Sequence, residues 1–215
     1  MTNPNEHPKV RVGGLFHQPD YLAAYHKATR HLMQVGQIDE LVMPIMYLQR
    51  HTLELLLKRL RDGAEEAIEA TRQIQEAKGR PVVPYLTTKN RKTHGLGELL
   101  TEAEAALSTL GWPVPVPGLR ELVSLCQSAE GDDETRWRYE TGKKGQRSFP
   151  VGLSEPRVEL PVFEIQDRLN QIAEDEQIGK TEDEIFKRDT ISSYIWSLTL
   201  TNHQLDQELY SLGLL

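Results

Sequence analysis

The sequence contains a single cysteine, Cys126, so it forms no internal disulfide and holds no cysteine-based zinc site. It also lacks any uninterrupted run of about 18 apolar residues, the length that a membrane-spanning helix requires. The amino-terminal stretch MTNPNEHPKVRVGG has no apolar run of the kind that a signal peptide carries. These absences predict a cytoplasmic protein that does not enter a membrane.

The signatures of several common catalytic sites are missing as well. There is no Walker loop, no dinucleotide-binding glycine fingerprint, no His-Glu-x-x-His pair and no nucleophile elbow. The histidines show no ligand spacing; His26 and His31, for example, are five residues apart and fall on different sides of a helix. We therefore predict no metal and no cofactor.

The net charge of −7 argues against a protein that coats nucleic acid through bulk electrostatics. The charge is unevenly distributed, however. Residues 80–92 carry four cations and no acidic residue, and residues 136–157 carry six cations and two acidic residues. These segments are either solvated loops or local anion-binding surfaces.

Hydrophobic periodicity predicts an all-α protein, an antiparallel helical bundle with an irregular loop or small hairpin at 131–161. Residues 1–19 form an irregular lead-in, and residues 20–215 form a single helical domain. Helix start and stop signals place a first helix at about 20–35, ended by Gly36, and a second from near 39 or 44 to 62. Further helices are predicted at 93–110, ended by Gly111, at 119–131 and at 162–178, with a last helix opened by a capping box at Thr181. Residues 63–79 are an exposed extension or a rim helix.

The segment IDELVMPIMYLQRHTLELLLKRLRDG is the most informative helix, with Pro44 in its first turn or kinking a helix begun near Asp39. Its apolar residues cover one broad face, which predicts a central position in the bundle. A narrow charged strip contains Arg50, Glu54 and Lys58, spaced one turn apart. We predict that Glu54 is at least half buried and paired with Arg50, Lys58 or an arginine of residues 136–138.

Three clusters are candidate sites. Arg50, His51, Glu54 and Lys58 form either a buried ion-pair network or a functional group. His94 starts a helix that Thr93 can cap, and it follows a basic segment, which predicts an anion site or a solvent-facing histidine. The basic segment before His94 contributes Lys89, Arg91 and Lys92. The third cluster either locks a loop against the bundle or stacks bases and binds phosphate. It consists of Asp132, Asp133, Arg136, Arg138 and Tyr139, with Trp137 as the second aromatic residue. Cys126 lies on an apolar helix face and is predicted to be a core thiol.

Over roughly residues 20–140, the sequence resembles bacterial proteins of the HEPN (higher eukaryote and prokaryote nucleotide-binding) superfamily. Three segments carry the resemblance, in this order along the chain: PIMYLQRHTLELLLKRL, KTHGLGELL and DDETRWRY. The resemblance implies a compact bundle of four or five helices, often dimeric and frequently encoded in toxin–antitoxin and phage-defence systems. Catalytic members of the family are metal-independent endoribonucleases. They use an arginine followed after four to six residues by a histidine on a helix at the dimer interface.

Two functions follow from the resemblance. The first is a module that binds RNA, a nucleotide or a protein partner. The alternative is a metal-independent endoribonuclease, in which His94 or His51 carries the proton and Arg91, Arg50 or Arg138 lies near the phosphate. The formal match to the catalytic pattern, Arg11 to His17, lies in the lead-in, which favours the binding module.

The last helix predicts a homodimer. Its apolar residues continue to Leu212, a longer seam than a small bundle needs to bury by itself. Asn202 interrupts the seam and is predicted to set the register of that interface, as polar residues do in coiled coils.

Overall fold

A computed structural model of the chain describes residues 21–82, 94–114, 116, 118–130, 159–174 and 191–214. All regular secondary structure in these ranges is α-helical, so the prediction of an all-α bundle is confirmed. The predicted hairpin region (apart from residues 159–161) and the predicted capping box at Thr181 lie outside the described residues. The helices are α1 (Tyr21–Gln34), α2 (Ile38–Ala77), α3 (Leu96–Thr109), α4 (Leu119–Glu130), α5 (Val162–Glu174) and α6 (Ile191–Ser211).

Helix α2 is the centre of the bundle, as its broad apolar face predicts. It is 40 residues long and packs against α1, α3, α5 and α6. Because α2 begins at Ile38, Pro44 lies inside the helix rather than in its first turn. The predicted extension at residues 63–79 is continuous with the central helix as far as Ala77. Across the described part of the chain, no helix combines the length and apolar character needed to cross a membrane.

The core is formed by apolar residues of α2, α3, α4 and α5, with Leu198 of α6. In each of these helices the buried positions follow the three-four spacing that the sequence displays, because that spacing puts them on one face. Gly36 and Gly111 have positive φ angles of 81° and 76° and terminate α1 and α3, as predicted. The fully buried large side chains include Ile45, Met46, Leu53, Leu56, Leu57, Leu60, Leu96, Leu99, Leu107, Leu119, Leu122 and Ile165.

Helix α6 packs closely against α2 at Gly63. A Cβ atom on Gly63 would lie 2.6 Å from Cδ2 of the buried Leu198, so only glycine fits here without displacing a core side chain. The side-chain amide of Asn202 donates to the carbonyl oxygen of Gly63 at 3.0 Å. Asn202 therefore contributes to the α2–α6 contact within the chain, and its role in a dimer interface stays a prediction.

A buried polar network joins α1, α2 and α5. The side-chain amide of Gln49 donates to the carbonyl oxygen of Val162 at 2.9 Å and to Gln166 Oε1 at 3.2 Å. His26 Nε2 lies 3.0 Å from Asn170 Oδ1 and 3.2 Å from Gln166 Nε2. Buried polar groups are stable only when hydrogen-bonded, so this network orients α5 against the central helix.

Candidate functional site around Glu54 and His94

Glu54 lies at the centre of a buried ionic cluster, with only 1% of its side chain exposed. Its Oε2 accepts a hydrogen bond from Arg50 Nη1 at 2.6 Å. Its Oε1 accepts one from Lys58 Nζ at 2.8 Å and lies 2.7 Å from His94 Nδ1. Arg50 and Lys58 reach it because they are four residues away on the same helix. The prediction of a buried, paired Glu54 is confirmed.

Arg50 is also buried, and all three of its side-chain nitrogens are bonded. Nη1 donates to Glu54, Nε donates to Glu130, and Nη2 donates to the carbonyl oxygen of His94 at 2.7 Å. The guanidinium therefore lies inside the bundle, where it joins α2, the end of α4 and the segment before α3. With 3% of its side chain exposed, Arg50 acts on Glu54, Glu130 and His94 and presents almost no surface to solvent.

Glu130 is a member of this cluster that the sequence reasoning missed. It is the last residue of α4, it is 5% exposed, and it forms an ion pair with Arg50. A signal for it was present, because Glu130 continues the spacing of the buried residues Val123 and Cys126 on the apolar face of α4. An acid on such a face needs a buried cation as its partner.

His94 joins the buried cluster to the surface. It lies two residues before the first residue of α3, and 55% of its side chain is exposed. Its Nδ1 faces the buried Glu54 carboxylate, and its Nε2 lies across the ring from this contact. Gly95, not Thr93 as predicted, is the N-cap residue of α3, and it provides no side-chain hydrogen bond to the helix end.

The ionisation of Glu54 is determined by its hydrogen-bond donors. Burial by itself raises the pKa of this carboxyl group, but hydrogen bonds from Lys58, His94 and Arg50 outweigh burial and lower the pKa from 4.5 to about 2. Glu54 is therefore a carboxylate at neutral pH. The carboxylates of Glu54 and Glu130 balance the charges of Arg50 and Lys58. A second proton on the His94 ring therefore gives the cluster a net positive charge.

His51 lies in a different environment from Arg50, because adjacent residues of a helix point in different directions around its axis. Its ring is stacked on Tyr47 at a centroid distance of 5.8 Å and meets the Tyr25 ring edge-on at 4.6 Å. Its Nδ1 is 3.9 Å from Glu54 Oε2. With 21% of its side chain exposed, His51 is much less accessible to a ligand than His94.

The structure brings together Arg50, Glu54, Lys58 and His94 among the candidate site residues, with His51 at the edge of the cluster. Cys126 is a core thiol, as predicted: burial and the charge of Glu130 raise its pKa to about 12, against the opposing effect of Arg50. The remaining candidates lie outside the described residues; they are Lys89, Arg91, Lys92, Arg136, Arg138 and Tyr139.

A separate groove of about 550 Å³ lies between α2 and α6. Its charged residues are mainly acidic, which makes it unsuitable for a phosphate group. Its polar and charged lining residues are Arg59, Asp62, Glu66, Thr199, Asn202, His203 and Asp206. Within the described ranges, no group of three or more histidine, cysteine, aspartate and glutamate side chains is arranged to hold a metal ion.

In comparisons with known proteins, no family model, curated protein or solved structure matches this chain. The chemistry of the site therefore has to be inferred from its own geometry. Lys58 offers hydrogen-bond donors for an anion, and His94 offers one at Nε2 when both of its ring nitrogens carry protons. A histidine whose Nδ1 contacts a carboxylate is also arranged as a general acid or base.

Proposed function

We propose that the chain is a HEPN-like helical module that binds a phosphate-bearing ligand, RNA or a nucleotide, at the surface formed by His94 and Lys58. One observation carries the proposal: Lys58 Nζ and His94 Nδ1 both contact the same oxygen of Glu54. The two side chains are 26% and 55% exposed, so two donor-bearing groups are held side by side at the surface. Such a pair suits an anionic oxygen of a phosphate group.

The surroundings of His94 support an anionic ligand. The amino terminus of α3 begins two residues later, and the unpaired backbone N–H groups of a helix start attract anions. The preceding residues 80–92 contain four cations and no acidic residue, and Lys92 is only two positions from His94 in the sequence. Because the chain as a whole carries a net charge of −7, we expect recognition to depend on this local surface.

A metal-independent endoribonuclease is the second candidate, and the contact between His94 and Glu54 favours it. In many hydrolytic sites a carboxylate orients the histidine that transfers the proton. Two features favour the binding module instead. Arg50 is buried away from any ligand, and the formal match to the family's catalytic spacing, Arg11 to His17, lies in the predicted lead-in.

We also propose that the module is a homodimer in the cytoplasm and works in a toxin–antitoxin or phage-defence system, as the HEPN resemblance implies. The end of α6 supports self-association, because Tyr210, Leu212 and Leu214 are 77%, 38% and 45% exposed. Light scattering at micromolar concentration should give twice the mass of one chain. A monomer would contradict the proposed dimer without affecting the proposed ligand.

Incubation with single-stranded and structured RNA in EDTA tests the two candidates together. The binding module predicts RNA binding that weakens with added salt and with His94→Ala, Lys58→Ala or Arg91→Ala, without cleavage. Metal-free cleavage that His94→Ala or His51→Ala abolishes would establish the ribonuclease instead. His203→Ala is the matched control, since His203 is an exposed histidine on α6 that contacts Gln207. If the protein neither binds nor cleaves RNA, the RNA-binding module and the ribonuclease are both refuted, and a nucleotide or a protein partner remains.

A further inference from the structure

His94 is held at two points by residues one turn apart on α2. Arg50 Nη2 donates to its backbone carbonyl oxygen, and Glu54 Oε1 lies 2.7 Å from its ring nitrogen Nδ1. We propose that Glu54 is a positioning residue that fixes His94 in the tautomer with its proton on Nδ1 and directs Nε2 towards the ligand. The direction of Nε2 towards a ligand rests on the proposed function, because the ligand is the phosphate-bearing one proposed there. The tautomer is a property of the free protein and can be measured without a ligand.

The burial of the cluster argues that it does more than stabilise the fold. Arg50, Glu54 and Glu130 are 3%, 1% and 5% exposed, and removing three such charges from water costs free energy that their mutual attraction has to offset. Replacing a buried ion cluster by apolar side chains of similar size often leaves the stability of a protein unchanged or increases it. What apolar side chains cannot supply is a hydrogen-bond acceptor for the His94 ring.

The hydrogen-bond pattern determines the tautomer. Glu54 stays ionised through the neutral and mildly acidic range, because its pKa is about 2, and a carboxylate accepts but cannot donate. A close contact with Nδ1 therefore requires a proton on Nδ1. In the neutral ring this leaves the lone pair on Nε2, whereas free histidine prefers the proton there. Nε2 donates to a phosphate oxygen when the ring takes up a second proton. Arg50, Lys58 and Glu130 are the other charged groups in the cluster.

A purely structural role for Glu54 predicts something different. If the carboxylate served only to neutralise Arg50 and Lys58, the His94 tautomer would not depend on it, and its removal would change stability alone. The two roles are distinguished by a spectroscopic signature of His94 that stability does not affect.

Nitrogen-15 NMR of the histidine rings in the full-length protein, without ligand, measures this signature directly. We expect neutral wild-type His94 to carry its proton on Nδ1, and Glu54→Gln to move it towards Nε2. The new amide has an NH₂ group in place of one carboxylate oxygen, so each of its orientations places this NH₂ against a hydrogen-bond donor. The donor is Arg50 in one orientation, and Lys58 together with His94 in the other. Glu54→Asp, which retains the charge but retracts it by one methylene, should shift the tautomer in the same direction. The matched control is Glu102→Gln, which removes a carboxylate paired with Arg61 at the same α2–α3 interface.

An Nε2 proton on the neutral ring of wild-type His94 overturns the proposal even if no variant folds. An unchanged Nδ1 tautomer in the Glu54 variants also overturns it. The second measurement is binding of a fluorescent single-stranded RNA in EDTA. Glu54→Gln and His94→Ala should each weaken binding by roughly tenfold, the scale of one hydrogen bond to a charged group, and the double variant should weaken it no further.

The two measurements separate the two proposals. Additive losses in the double variant would show that Glu54 acts on the ligand independently of His94, which refutes the positioning role. If wild-type protein binds no RNA but His94 shows the Nδ1 tautomer and its dependence on Glu54, the proposed RNA binding fails and the positioning role stands.

Discussion

Replacing Glu54 with glutamine removes the carboxylate that Arg50, Lys58 and His94 share, and its cost in stability can be worked out in two ways. Breaking a buried ion pair by removing one partner costs about 3–5 kcal/mol, because a buried charge is left uncompensated. Independently, a pKa lowered from 4.5 to about 2 corresponds to about 3 kcal/mol of stabilisation at neutral pH. Both routes give a loss of about 3 kcal/mol for Glu54→Gln at pH 7.

The pH dependence follows from the sign of this shift. Between pH 2 and 4.5 the unfolded chain protonates Glu54 while the folded chain does not, so the unfolded state binds more protons. The stabilisation from Glu54 is therefore complete above about pH 5, decreases as the pH falls through 4.5, and is lost near pH 2. The difference in unfolding free energy between wild type and Glu54→Gln should shrink over the same range.

Urea titrations of both proteins at several pH values provide the measurement, with Glu69→Gln as the control. Glu69 is also on α2, and hydrogen bonds from Arg72 and Gln73 lower its pKa to about 2, but its side chain is 37% exposed. Since water replaces such partners readily, its loss should cost less than about 1 kcal/mol. A cost below about 1 kcal/mol for Glu54→Gln, or a loss that does not change with pH, would refute the buried ion-pair reasoning.

Two further predictions concern the core. Gly63→Ala should destabilise the protein, because a clash with Leu198 at 2.6 Å costs about 1–3 kcal/mol and outweighs the roughly 1 kcal/mol that alanine gains over glycine in a helix. Gly97→Ala meets only the exposed side chain of Gln127 at 3.1 Å and should be neutral or stabilising; equal losses for the two in urea titrations would contradict the packing argument. Cys126 should resist a thiol reagent at pH 7 until denaturant is added, and rapid labelling of the native protein would show that the thiol is not in the core.

The fold was largely predictable because its helices are strongly periodic. The central position of α2 followed from an apolar face too broad for a surface helix. The ends of α1 and α3 followed from Gly36 and Gly111, which adopt positive φ angles that other residues rarely take. The start of α2 was harder to place, since Pro44 suggests a first turn but is also tolerated inside the helix.

The candidate site was predictable only where it is local. The pairing of Arg50, Glu54 and Lys58 follows from helical geometry, since each step is four residues. The contacts of His94 and Glu130 with this strip span 40 and 80 residues, and depend on how α3 and α4 pack on α2. A single sequence shows that His94 and Glu130 are unusual at their positions, but it does not show which residues they contact.

The most direct test of a phosphate-binding surface at His94 is an NMR titration of the full-length protein with single-stranded RNA in EDTA. Binding there predicts that the largest shift changes fall on the His94 ring, on Lys58 and on the first amides of α3, and that they disappear as salt is raised. Changes confined to the groove between α2 and α6, around His203 and Asp206, or no changes at all, would contradict it.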